Sequence, residues 1–155
     1  MAEESSSESL SMTTACLILA ARLGPTPALM LYTTPVSCGF PSPTAEFEEL
    51  PLDLAEHLIQ RPAATFFVRF KGQSMVGLGI GDGDLGVVDR SLTPKAGDVV
   101  VAVVDGNLVA KQLARKAGRL VLASAHPGEP AIEVSEESDC QIWGVVTASI
   151  RAHRP

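Results

Sequence analysis

Two apolar runs, residues 98–104 and 108–113, flank the dipeptide Asp105-Gly106, and this arrangement constrains the fold more than any other stretch of the chain. Asp-Gly supplies the two positive φ angles of a type I′ turn, whose twist matches that of paired strands. The spacing therefore predicts an antiparallel hairpin. From Thr65 onward, short β-branched and aliphatic runs at 66–70, 85–89, 98–104, 108–113, 119–123 and 141–150 alternate with Gly, Asp and Pro turns, which is the pattern of a mainly β domain. One short helix is expected over 54–60. There Asp53 and Glu56 have the spacing of an N-cap and its capping-box partner, and Pro62 ends the segment.

Upstream of this domain the texture is different. Residues 1–14 are rich in Ser, Glu and Thr, and such a leader cannot bury enough apolar area to offset the entropy of ordering it. Residues 17–31 turn apolar but are interrupted by Gly24, Pro25 and Pro27, while Pro41 and Pro43 bias Phe40 and Ser42 toward extended conformations and keep this stretch out of a sheet centre. Residues 1–50 thus read as an extended, flexible N-terminal arm and residues 51–155 as the β domain. A length of 155 residues fits one core plus a tail.

Composition excludes several function classes. A net charge of −6 and a pI near 5.0 argue against affinity built on phosphate neutralisation, which needs clustered Lys and Arg, so no direct sequence-specific nucleic-acid binding is expected. No window reaches the roughly 18 apolar residues of a membrane span, and the acidic leader lacks the positive charge of a secretory signal. Cys16, Cys38 and Cys140 are far apart and odd in number, which points to a reducing cytoplasm rather than a disulfide framework or a zinc site. Gly81-Asp-Gly-Asp84 lacks the spacing of a calcium loop and reads as a turn; no metal or cofactor is expected. His57, His126 and His153 are isolated and form no triad pattern.

Two residues could carry chemistry. Lys111, in the hairpin's second strand, shares a face with Val109 and Leu113, while the opposite face, with Leu108, Ala110 and Gln112, is equally apolar. Period two alone therefore leaves its direction open, between a lysine that snorkels to solvent and a desolvated one, stripped of its proton by burial, that acts as a general base. Lys71-Gly-Gln-Ser-Met75 follows the 66–70 strand directly, so Gly72 permits a tight exit and Ser74 opens a turn. A serine there can present its hydroxyl to a cleft, with the backbone N–H groups of Gln73 and Ser74 available to an oxyanion.

Gly72-Gln-Ser-Met75, residues 80–89 (Ile-Gly-Asp-Gly-Asp-Leu-Gly-Val-Val-Asp), Gly97-Asp-Val-Val-Val101 and residues 104–111 (Val-Asp-Gly-Asn-Leu-Val-Ala-Lys) resemble, in order and spacing, the catalytic region of the LexA-type self-cleaving Ser–Lys peptidases. The likeness is greatest to the UmuD-like branch of that family. It extends upstream to Cys38-Gly-Phe-Pro-Ser-Pro43, similar to that branch's self-cleavage site, and downstream to Trp143-Gly-Val-Val146, covering about residues 36–150. Residues 1–14 look like an extension and residues 15–35 match poorly. The resemblance implies a LexA/signal-peptidase-like catalytic β domain in which Ser74 is the nucleophile, Lys111 the base that deprotonates it, and Cys38–Gly39 the bond that is cut.

The implied chemistry is coherent. An amine replaces the imidazole of a serine protease and must be buried to lose its proton, an effect that a nearby carboxylate would oppose. The resemblance further implies a homodimer in the bacterial cytoplasm, activation by a RecA filament on single-stranded DNA, and service of the processed form as accessory subunit to a UmuC-like, Y-family translesion polymerase. Two other readings compete. A LexA-like repressor needs a helix-turn-helix domain before the cleavage site, which about 37 residues containing Pro25, Pro27 and Pro35 do not supply. A binding module that kept the fold and lost the chemistry is disfavoured by the intact Ser74 and Lys111. A type I signal peptidase shares the serine–methionine motif but carries a membrane anchor.

Overall fold

The computed structural model describes residues 29–33, 35–40 and 49–154. Along them run strands β1 (Leu29–Tyr32) and β2 (Glu49–Leu52), helix α1 (Leu54–Leu58), β3 (Thr65–Arg69), β4 (Leu85–Asp89), β5 (Val99–Val104), β6 (Asn107–Lys116), β7 (Arg119–Ala123), β8 (Ile132–Glu133) and β9 (Cys140–Ile150), with single 3₁₀ turns at Pro62–Ala64 and Val76–Leu78. Strands β3 to β9 form one seven-stranded sheet in the order β3-β4-β9-β5-β6-β7-β8, and every ladder in it is antiparallel. The mainly β expectation holds.

The hairpin predicted around Asp105-Gly106 is present. Asp105 and Gly106 have φ of 49° and 77°, and β5 pairs with β6 from Val104↔Asn107 to Val99↔Gln112. Strand β5 is apolar throughout because both of its faces are covered. Val100 and Ala102 join Leu113, Leu122 and Val145 in one cluster, while Val101 points the other way to Phe66 and Val88. A strand buried on both faces reads as a continuous apolar run rather than an alternation.

Three boundaries differ from the sequence reading. Helix α1 begins as expected, with the Asp53 side chain accepting from the Glu56 N–H at 3.0 Å, but it stops at Leu58, because Ile59 turns extended and is buried. The two-residue strand β8 is too short to leave a periodic signal. Strand β1, in the stretch expected to be arm, pairs with β2, which straddles the expected boundary at residue 50, in a separate two-stranded ladder, Leu29↔Leu52 to Tyr32↔Glu49. The proline-rich stretch 41–48, and residues 1–28 with the leader and Cys16, lie outside the described residues.

Candidate active site

Strand β3 ends at Arg69, and the chain then folds back on itself before β4. The Phe70 N–H donates to the Asp84 carbonyl at 2.9 Å and the Gly83 N–H to the Phe70 carbonyl at 2.8 Å. Gly72, at φ 93°, donates its N–H to the Asp82 carboxylate at 2.7 Å. This closed loop presents Ser74 just before the buried Met75, which packs with Phe70 and Ile80 beneath the site. The N–H groups of Gln73 and Ser74 have no acceptor among the described residues, so both are available to an incoming oxygen.

Lys111 approaches from the other side. Its register partner on β5 is Val100, which is fully buried, so the lysine stands on a covered face and its side chain is only 14% exposed. Of the two courses that period two left open, the side chain does not extend into solvent. Ser74 and Lys111, 37 positions apart, line one cavity of about 240 Å³ together with Phe70, Met75, Ile80 and Ala110. Its walls are mostly apolar.

The lysine is not directed at the serine. Its Nζ donates to Ser124 Oγ at 2.5 Å and to Glu129 Oε2 at 3.1 Å, and Ser124 Oγ in turn donates to the same carboxylate oxygen. The hydrogen bonds from Ser124 first, and then from Lys111, hold the Glu129 carboxyl below the ordinary carboxylate range. Ser124 reaches this place by strand register. Gln112 pairs with Ala123, so the next residue of the β7 edge stands opposite Lys111. Neither Ser124 nor Glu129 is singled out by the sequence; the one available signal is that register, fixed by the tight turn at Ala117-Gly118, where both residues have positive φ.

The segment bearing Ser124 is also tied to the serine loop, because Ala125 donates its N–H to the Ser74 carbonyl at 2.7 Å and accepts from the Gly77 N–H at 3.0 Å. Cys38 and Gly39 are both exposed. The Ser37 hydroxyl bonds the Phe40 carbonyl, and the Gly39 N–H reaches Ser37 Oγ at 3.3 Å, so the segment is curled on itself rather than laid along the cavity. The Gly81-to-Asp84 stretch is a turn closed on Arg151. The guanidinium holds the Asp84 carboxylate through bonds of 2.7 to 3.2 Å, and Asp84 also accepts from the Gly81 N–H at 2.8 Å.

A loop serine and a strand lysine thus line one mostly apolar cleft of a β domain. Residues 30–147 match the family model for Peptidase S24-like proteins, and the chain belongs to that family. It is 45% identical to Protein SamA of Salmonella typhimurium over 124 residues, covering 80% of this chain and 86% of SamA. It is 37% identical to Protein MucA of Escherichia coli over 127 residues, 81% and 86% of the two chains. A LexA repressor, from Syntrophotalea carbinolica, is 39% identical over 89 residues, 57% of this chain and 44% of the repressor. The resemblance read from the motifs, to UmuD-like members of the LexA-type family, is borne out. Among the described residues no helix is long and apolar enough to cross a membrane.

Proposed function

We propose that this chain is a self-cleaving serine peptidase of the bacterial SOS response that cuts its own arm between Cys38 and Gly39 and then serves a UmuC-like translesion polymerase as accessory subunit. The observation that carries the reading is the shared cavity of Ser74 and Lys111. In the reaction, the neutral Lys111 amine takes the Ser74 hydroxyl proton as the serine oxygen attacks the Cys38 carbonyl carbon. The oxyanion that forms is met by the N–H groups of Gln73 and Ser74. Collapse breaks the C–N bond, Lys111 returns the proton to the Gly39 nitrogen, and water then hydrolyses the acyl-serine to free the Cys38 carboxylate. Glycine after the scissile carbonyl removes a Cβ where the extended arm must bend into the cleft.

The arm is residues 1–50 and the body that remains folded lies within 51–155. Because Cys38 and Gly39 stand exposed, cleavage requires the arm to move into the cleft, within one chain or between the subunits of a homodimer. A RecA filament on single-stranded DNA acts by favouring the docked arm, a population shift that leaves the chemistry unchanged. The acidic chain meets DNA only through these partners, in the cytoplasm. The test is incubation of the full chain with RecA, single-stranded DNA and a nucleotide, read by mass spectrometry. A fragment of residues 39–155 from the parent chain and none from Ser74→Ala is the expected result; no cleavage of the parent chain under any arm-docking condition would leave the silent binding module as the better account.

A further inference from the structure

The cavity lined by Lys111 is also lined by the cations Arg69 and Lys71. The carboxylate that Lys111 meets is that of Glu129, bonded to its Nζ at 3.1 Å and bridged to it a second time through Ser124. His126, close enough to act on Glu129, adds positive charge to the same loop when protonated. The Glu129 side chain is 40% exposed against 14% for the lysine, so the carboxylate closes the pair from the solvent side. It stands on the Pro127-Gly128 bend, where Gly128 has φ 90°.

We infer that Glu129 is a latch on the general base: the Glu129–Ser124–Lys111 cluster holds the lysine as a charged ammonium turned from Ser74, and cleavage begins only when the docked arm displaces the carboxylate. This rests on Lys111 being the base. Once the pair opens in a cleft that excludes water, the ammonium releases its proton to solvent, and the free amine is left to accept the Ser74 proton. Ser124 is a positioning residue, acting through the lysine rather than on the scissile bond. Proton relay through Glu129 is the opposite role for the same geometry, and it makes the opposite prediction.

The test compares the pH profile of self-cleavage, with RecA filaments present, in the full parent chain and in Glu129→Gln. A latch gives a profile displaced toward acid by about one pH unit and a rate near neutrality raised about tenfold, since removal of one close opposite charge shifts a titration by that order. An unchanged profile, or a slower Glu129→Gln with relay kinetics, overturns the proposal. A readout independent of activity is the ¹⁵N-NMR titration of the Lys111 ammonium in Ser74→Ala, which should midpoint lower once Glu129→Gln is added; coincident titrations overturn the latch. Cleavage that persists in Lys111→Ala would remove the base itself, a different failure from loss of the latch alone.

Discussion

The backbone N–H of Ala125 donates to the carbonyl of Ser74 at 2.7 Å, so the Ser74 loop and the segment that carries Ser124 are tied together. Its companion bond, from the Gly77 N–H to the Ala125 carbonyl, leaves no room for a side chain. A Cβ at Gly77 would stand 2.3 Å from the Ala125 oxygen, and backbone cannot yield as a flexible side chain does. Gly77→Ala should therefore part the two segments, costing about 1–3 kcal/mol of stability and most of the self-cleavage. Thermal unfolding and a cleavage time course check both. Activity retained alongside a lowered melting temperature would show that the coupling serves the fold alone.

Ser74→Ala removes a hydroxyl from a turn and no core volume, so stability should change by less than about 0.5 kcal/mol while cleavage disappears. At the proposed scissile bond, Gly39 has open space around its Cβ position. Gly39→Val should thus leave the melting temperature unchanged and still block processing, since the side chain meets resistance only inside the cleft. A Gly39→Val chain that is cut at the parent rate would move the scissile bond elsewhere.

Strand positions were readable because the sheet is built from runs with clear punctuation. Strands β4 and β7 begin and end where their apolar runs do, and Asp105-Gly106 announces its own turn. Strands β1 and β2 were not readable, being four residues each, largely exposed, with Pro51 inside the second. At the site, motif spacing pointed to Ser74 and Lys111, but the lysine's burial and partners depend on the segment after β7 that covers it, which no local pattern states. Glu129 was invisible for a further reason. It lies in an irregular loop, and its contact with Lys111 is made across 18 residues by the register of a hairpin whose turn begins with alanine, a residue that does not advertise a positive φ.

That alanine is itself a defect open to repair. Ala117 is exposed and holds φ 50°, a left-handed conformation that costs a Cβ-bearing residue roughly 1–2 kcal/mol. Asparagine tolerates it better, and Asn-Gly is the preferred pair for such a turn. Ala117→Asn should raise stability by about 0.5–1 kcal/mol in denaturant unfolding and leave cleavage unaltered, because the register that sets Ser124 opposite Lys111 is kept. A loss of stability would mean that the turn is not limited by its backbone.

Acid should loosen the fold at Asp84. Hydrogen bonds from Arg151, the largest influence, and from the Gly81 N–H bring this carboxyl from the ordinary 3.8 down to about 2. A folded value below the unfolded one means that the native state binds the proton less readily. The contribution to stability is therefore fully present above about pH 4 and is lost as pH falls through 3.8 toward 2, where the unfolded chain is already protonated and the folded one must follow. Arg151 follows β9 and also donates to the Gly79 carbonyl at 2.9 Å, so losing the pair frees the end of that strand from the loop beyond Ser74. Asp84→Asn should lower the melting temperature at pH 7 and flatten its decline between pH 4 and pH 2, with parent and variant converging at the acid end. Parallel melting curves for the two proteins across that window would show that other carboxylates govern the acid limb.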